Sequence, residues 1–359
     1  MSSLLDRLKT AGTVKLSNTL DKSVFFKAKD QTPTSIPIIN VALSGRLDGG
    51  LTSGITSLAG PSKHFKSLAG LILVKSYLDR YKDAVCLFYD SEFGITPDYI
   101  RANGIETERV LHIPIEHVEQ LKFDISKRLD EVKRGDKVIV FIDSVGNLAS
   151  KKEVEDAMEG KSVADLTRAK QLKSLFRIIT PHFTTKDLPC VVINHTYMEQ
   201  GLYPKAIMSG GTGIMYSSDT VIIFGKSQEK DGTELAGWTF TMNIEKSRYV
   251  KEKSKLPFTV KFEGGIQKWS GLLDIAMELG WVKKPSNGWY SRVDMTTGEI
   301  EERKFREKDT NSSEFWGPII TNKKFQEDVA ERFMVSSGKL ISDEEIDDAV
   351  DELMDSEDE

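Results

Sequence analysis

From about Pro37 to Gly265 the chain alternates short apolar runs, rich in β-branched and aromatic residues, with longer amphipathic stretches. That alternation restricts it to a mostly parallel sheet covered by helices, because each parallel connection needs a crossover. The strand candidates are 56–59, 84–89, 110–113, 137–142, 190–194 and 220–224, and the helix candidates between them include 66–80, 118–133 and 163–180. The near-continuous apolarity of Val138-Ile139-Val140-Phe141-Ile142 predicts a central strand buried on both faces.

The pattern changes at both ends. Residues 1–35 read as a short helix over 4–9 and a polar link reaching Val24-Phe25-Phe26. Gly264-Gly265 is a turn signal, followed by a helix over 271–279, a hairpin around Asn287-Gly288 and a late helix over 322–334. The expected class is therefore α/β, with a core over 36–267, a small α+β domain over 268–340 and a tail over 341–359. With 359 residues, 39% of them hydrophobic, the chain is long enough for one large core and a smaller second one.

Composition excludes several classes. No stretch approaches the roughly 18 apolar residues of a membrane span, and the N-terminus carries no apolar run ending in a cleavage site, so no secretion signal is read. Cys86 and Cys190 both fall in apolar runs, which suits a reducing cytoplasm better than a disulfide scaffold. No Cys/His cluster has zinc spacing. The net charge of −6 is concentrated at one end: Asp343 to Glu359 contain 11 Asp or Glu and no Lys or Arg. Without them, 49 basic residues face 44 acidic ones, a mildly basic body. Such a tail is expected either to be a solvated end or to compete with a polyanion for the body, in which case truncation after Ser342 strengthens duplex DNA binding.

Gly60-Pro61-Ser62-Lys63-His64-Phe65-Lys66-Ser67 follows a predicted strand and opens a predicted helix. It fits the phosphate loop G-x-x-x-x-G-K-[ST] except that Phe65 stands at the second glycine. Backbone N–H groups of such a loop wrap phosphates, the lysine (here Lys66) reaches the outer ones, and the hydroxyl of Ser67 binds Mg2+. Asp143 ends the 137–142 run, where a carboxylate can complete the Mg2+ shell. Glu92 follows another buried run, in Phe88-Tyr89-Asp90-Ser91-Glu92, and is placed to activate the water that attacks a γ-phosphate. Spacing alone leaves Asp90 and Glu92 as alternatives for that base.

These pieces together resemble the RecA-type recombinases, and among them the UvsX recombinases of T-even-like phages. The matching segments are GPSKHFKS, LFYDSEFGITPDYIRANGI, VIVFIDSVGNLASKKEVED, VVINHTY, SGGTG, IEKSRYVKEKSK and GLLDIAMELGW, which span nearly all of residues 36–292 in family order. The phage branch is similar in carrying Phe at the position of Phe65. The resemblance implies a RecA-like P-loop ATPase core, an N-terminal polymerisation segment that docks on a neighbouring protomer through Val24-Phe25-Phe26, and ATP and Mg2+ as cofactors. It implies Glu92 as the catalytic glutamate, Tyr99 as the residue stacked on adenine, and His195 as the γ-phosphate sensor where bacterial members carry glutamine. It further implies that Lys246 and Arg248, two apart on a strand pattern, cross the protomer interface to the neighbour's γ-phosphate.

The same resemblance implies two DNA-binding loops, about 150–164 and about 196–212, the second ending in Ser209-Gly210-Gly211-Thr212-Gly213. Both are long, polar and low in periodicity, and Gly210 and Gly211 permit close approach to phosphates. Arg168 aligns with a DNA-contacting arginine, and Thr212 belongs to the second loop. Lys170 and Lys173 either add to that basic surface or form an ordinary charged helix face. The expected partners are single-stranded DNA, double-stranded DNA, further copies of the chain in a helical filament, a recombination mediator and a single-strand-binding protein; no membrane is expected. A phage origin would put the protein in the cytoplasm of an infected bacterial host. Two other readings share parts of the pattern: a RecA-fold hexameric helicase, which normally lacks the SGGTG loop, and a non-hydrolysing single-strand-binding protein, against which Lys66, Glu92 and Asp143 argue.

Overall fold

A computed structural model of the chain describes residues 3–336 except 15, 16, 24, 26–28, 161–166, 200, 202 and 203. The acidic tail, Val24, Phe26 and part of the first expected DNA loop lie outside the described residues. Phe25 is described, and the Arg134 guanidinium of its own chain lies 5.6 Å from its ring centroid.

Ten strands form one sheet: β1 (Gly54–Gly60), β2 (Val85–Asp90), β3 (Val110–Pro114), β4 (Val138–Asp143), β5 (Pro189–Met198), β6 (Ala206–Met208), β7 (Thr220–Asp231), β8 (Glu234–Ser247), β9 (Lys255–Lys261) and β10 (Gly265–Ile266). Their order is β10-β9-β8-β7-β1-β5-β4-β2-β3, with β6 paired to β5. The neighbours from β7 to β3 are parallel, as the alternation predicts, whereas β7 through β10 and β6 are joined antiparallel. Every residue of β1 and β4 is buried, which is what helices on both faces require.

The described helices are α1 (Leu4–Ala11), α2 (Pro37–Ser44), α3 (Lys66–Arg80), α4 (Pro97–Ala102), α5 (Val118–Glu131), α6 (Lys151–Met158), α7 (Thr167–Lys186), α8 (Thr212–Ser217), α9 (Leu272–Glu278), α10 (Ser313–Ile320) and α11 (Lys323–Phe333). On one face of the sheet α3 packs on Phe88, Phe141 and Ile193; on the other, α5 and α7 pack on Val140, Ile142 and Val192. A substitution as small as Gly70→Ala would break the first contact, since the added Cβ would lie 2.4 Å from the Phe141 ring.

The C-terminal region carries a small antiparallel sheet, β11 (Val282–Ser286), β12 (Trp289–Arg292) and β13 (Phe305–Arg306). Its turn falls at Asn287-Gly288, where Gly288 has a φ of 74°. Phe315, Trp316, Phe325 and Phe333 are buried in the same apolar cluster as Ile38 of α2 and Phe258 of β9. Burial of side chains of that size contributes about 1.5–3 kcal/mol each, so this junction is firmly held.

Three expectations are corrected. Thr220–Asp231 is a twelve-residue strand rather than five, because its polar half is stabilised by pairing with β8, which an apolar-run criterion cannot detect. The segment from Thr196 is not irregular throughout: Thr196, Tyr197 and Met198 pair with Met208, Ile207 and Ala206 as a hairpin. The first loop contains α6, nucleated by a capping box in which Ser150 and Glu153 bond reciprocally. Both free cysteines are buried, and burial raises their thiols well above the ordinary range. No helix among the described residues is long and apolar enough to cross a membrane.

Candidate nucleotide site and nucleic-acid loops

Parallel register brings the carboxyl ends of β1, β2 and β4 together beside His195 of β5. Gly60 of β1 stands opposite His195 of β5, and Asp90 of β2 opposite Asp143 of β4. Such strand ends are where open α/β sheets bind ligands. The β2–β4 pairing continues one residue further, as Ser91 N–H donates to Asp143 O and Ser91 Oγ to Ser144 O. Glu92 is thereby fixed beside β4.

Residues 61–65 form the loop between β1 and α3. Lys63 and Phe65 adopt positive φ, 59° and 64°. Phe65 is the N-cap of α3 and makes no side-chain cap bond. The left-handed conformation costs an L-residue about 1–2 kcal/mol, which explains why glycine is the usual occupant. Here the ring repays it by packing on Phe240 and Phe258, with centroids at 5.1 and 5.3 Å. Lys66 is buried and its Nζ donates to Pro61 O at 2.7 Å. Burial lowers its ammonium, against the pull of Glu92 and Asp143.

Asp143 is buried, and its Oδ1 has no hydrogen-bond partner. Burial pushes this carboxyl up to about 6, opposed by the Ser67 hydroxyl and reinforced by Glu92 and Asp90. A buried carboxylate oxygen without a partner is costly unless a cation uses it. A hydroxyl and a carboxylate are oxygen donors of the kind Mg2+ takes together with phosphates and water, so Ser67 and Asp143 fit that ion. Among the described residues no cluster of three or more His, Cys, Asp or Glu could hold a metal ion.

Asp90 and Glu92 separate in geometry. Asp90 Oδ1 accepts the backbone N–H groups of Glu92 and Phe93 at 3.0 and 2.8 Å, and Oδ2 faces His112 Nε2 at 3.1 Å. Asp90 thus has both oxygens engaged, one in the turn and one with β3. Glu92 Oε1 accepts from Ser144 Oγ, from Asn147 Nδ2 at 3.2 Å and from His195 Nε2 at 2.9 Å. The bond from His195 is the main reason its carboxyl lies below the usual range, despite partial burial.

His195 is not at a strand end; β5 continues to Met198 because β6 pairs with it. Its carbonyl accepts the Ser209 N–H at 2.8 Å, and a Cβ on Gly146 would lie 2.4 Å from its ring. The roots of both expected DNA loops therefore touch this one residue.

Arg168 is placed differently from a surface DNA contact. Its guanidinium donates to the carbonyls of Leu148, Val145 and Gly146 and to Ser209 Oγ. It joins the start of the first loop to the end of the second, and burial lowers it. Gly210 and Gly211, with φ of 88° and 80°, lead into Thr212, the first residue of α8. Lys170 and Lys173 are exposed. Tyr99 lies on α4 and is 38% exposed. Lys246 and Arg248 do not share one face of a strand: β8 ends at Ser247, and a register shift lies between Val221 and Ile222, which pair with Lys246 and Ile244. Lys246 Nζ instead binds the carbonyls of Met215, Tyr216 and Ser218, and Arg248 pairs with Asp219.

The profile of the RecA N-terminal domain matches residues 26–267. The chain belongs to the RecA family. A second profile, that of the C-terminal domain of the bacteriophage T4 recombination and repair protein, matches residues 269–329 of this RecA-family chain. The recombination and repair protein of Enterobacteria phage T4 is 55% identical to it over 360 residues, 99% of this chain and 92% of the phage protein. RecA of Clostridioides difficile is 27% identical over 305 residues (82% and 85% of the two chains), and RecA of Cutibacterium acnes 26% over 278 residues (76% and 78%).

Sequence reasoning missed two members of this RecA-family site. Ser144 is visible only as the residue after Asp143. Asn147 carries no local signal, since its partner Glu92 comes from a distant segment.

Proposed function

We propose that this RecA-family chain is a DNA-dependent ATPase that assembles as a helical filament on single-stranded DNA. In that form it catalyses homologous pairing and strand exchange with duplex DNA, serving recombination, repair and recombination-dependent replication in the cytoplasm of an infected bacterium. A recombination mediator and a single-strand-binding protein are its expected partners. The observation that carries this reading is the 2.9 Å contact between Glu92, on the nucleotide side, and His195, whose neighbours are the roots of both loops.

In this reading Gly60 to Ser67 wrap the triphosphate and Tyr99 stacks on the adenine. Ser67 and Asp143 would hold Mg2+, which would supply positive charge against the phosphate oxygens. Lys66 exchanges Pro61 O for a phosphate oxygen. Glu92 accepts the proton of the attacking water as its oxygen bonds to Pγ and the bond from Pγ to the leaving ADP oxygen breaks. Lys246 and Arg248 of one protomer neutralise the charge that develops at the neighbour's site, which makes hydrolysis depend on assembly. His195 reports the state of Glu92 to Gly146 and Ser209, and thence to Arg168, Gly210, Gly211 and Thr212. Binding is led by phosphates, and base pairing supplies specificity.

The test is ATP turnover with and without single-stranded DNA, together with electron micrographs of the protein with both ligands. Lys66→Ala should abolish DNA-stimulated turnover; undiminished turnover means the site is misassigned. Helical filaments support the recombinase, whereas closed rings support the helicase.

A further inference from the structure

Lys246 and Arg248 both have partners inside their own chain. Lys246 Nζ sits on three backbone carbonyls at the end of α8, at 2.7–3.0 Å. Arg248 Nε lies 2.7 Å from Asp219 Oδ1, in a pair whose arginine side chain is 68% exposed and whose aspartate is 12% exposed. The other oxygen, Asp219 Oδ2, accepts the Ile55 N–H of β1 at 3.0 Å, and the Arg248 N–H donates to Asp219 O at 3.1 Å. The carboxylate is thus fixed by backbone on one side and offers its free oxygen to a mobile cation on the other.

We propose that Asp219 is a positioning residue that retains Arg248 on its own chain until a neighbour's terminal phosphate competes for it. The inference rests on the proposed role of Arg248 in trans. An ion pair with so exposed a cation is weakly held and screened by salt. A terminal phosphate carries more charge, accepts a guanidinium in two-pronged fashion, and is partly shielded from water once a second subunit covers it. The exchange therefore runs towards the phosphate only when a loaded neighbour is present. A lone subunit keeps its cation neutralised, which suppresses turnover in unproductive encounters away from DNA. Lys246 donates its hydrogen bonds to carbonyls and feels Asp219 only through space, so Asp219, in direct contact with Arg248, is the handle through which the idea is tested.

Asp219→Asn keeps a side-chain oxygen for the Ile55 N–H and removes the charge facing Arg248. ATP turnover is measured over a range of protein concentrations, without DNA and with saturating oligo(dT). The expected result is DNA-free turnover raised about three-fold, the scale an exposed pair can withhold, and half-maximal at lower protein concentration. Turnover with oligo(dT) should stay within about two-fold of wild type. A purely structural role would lower both rates together, and either that outcome or an unchanged DNA-free rate overturns the proposal. Should Asp219→Asn lose its cooperative melt, the same rates are read from Asp219→Ser, a smaller polar side chain that also carries no charge; loss of fold in both assigns Asp219 to structure and overturns the proposal too. A wild-type protein without oligo(dT)-stimulated turnover sinks the function reading instead, which separates the two failures.

Discussion

His195 Nε2 stands 2.9 Å from Glu92 Oε1, joining the turn after β2 to the strand that leads into the second loop. Because a carboxylate only accepts, the imidazole donates here. His195→Ala removes this donor and the bridge to the second loop, whereas the amide of His195→Gln can still donate to Glu92. DNA-stimulated turnover should therefore fall further in His195→Ala than in His195→Gln. Equal turnover in the two variants would show that the bond does not govern the rate.

Asp143 gives a prediction of opposite sign for stability and activity. Its folded value of about 6 lies above the ordinary 3.8, so its protonated form favours the fold. That contribution is fully present below about pH 4 and is lost as pH rises through 6. Asp143→Asn should stabilise the nucleotide-free protein by about 2–3 kcal/mol at pH 8, with little difference near pH 4, while Mg2+-dependent turnover disappears. Urea unfolding at the two pH values checks the first part, and a variant no more stable than wild type at pH 8 refutes it.

Phe65 separates backbone strain from packing. Phe65→Ala keeps the left-handed penalty and loses the ring contacts, whereas Phe65→Gly loses the contacts but also the penalty. Glycine should therefore be less destabilising than alanine by about 1 kcal/mol, the reverse of the order in an ordinary helix. Denaturation midpoints of the two variants decide it.

Arg168 distinguishes a scaffold from a DNA contact. Four internal acceptors surround its guanidinium, and hydrogen bonds to charged groups contribute about 1.5–3 kcal/mol each. Arg168→Ala should lower stability by at least about 2 kcal/mol in the absence of DNA, as well as weakening DNA binding. A side chain serving DNA alone would leave the melting temperature unmoved and reduce only the salt dependence of binding.

The parallel half of the sheet was legible because strands buried on both faces must be apolar throughout, as Val138 to Ile142 are. The helix over 66–80 was bounded by the loop before it and by Arg80 at its end. What escaped were elements stabilised by pairing rather than by their own composition: the polar half of β7, the short β6, and β8 through β10. The helix α6 did announce itself through Ser150 and Glu153, and the loop's overall polarity masked it. At the candidate site, the phosphate loop and Asp143 stand out as local motifs, whereas the different surroundings of Asp90 and Glu92 depend on contacts made only in the fold. The internal partners of Arg168, Lys246 and Arg248 likewise depend on chain segments brought together only by folding.

The aromatic wedge behind the phosphate loop has a mechanical consequence. Phe65 leans on Phe240, and Phe240 lies on the same strand that ends beside Lys246. In the proposed filament, the grip on a subunit's own nucleotide and the arm it would extend to the next subunit's would thus be mounted on one beam. In a polymer of such subunits, one damaged copy would disturb the fuel pocket it owns and the one it serves, so a small fraction of faulty copies would silence more than its share.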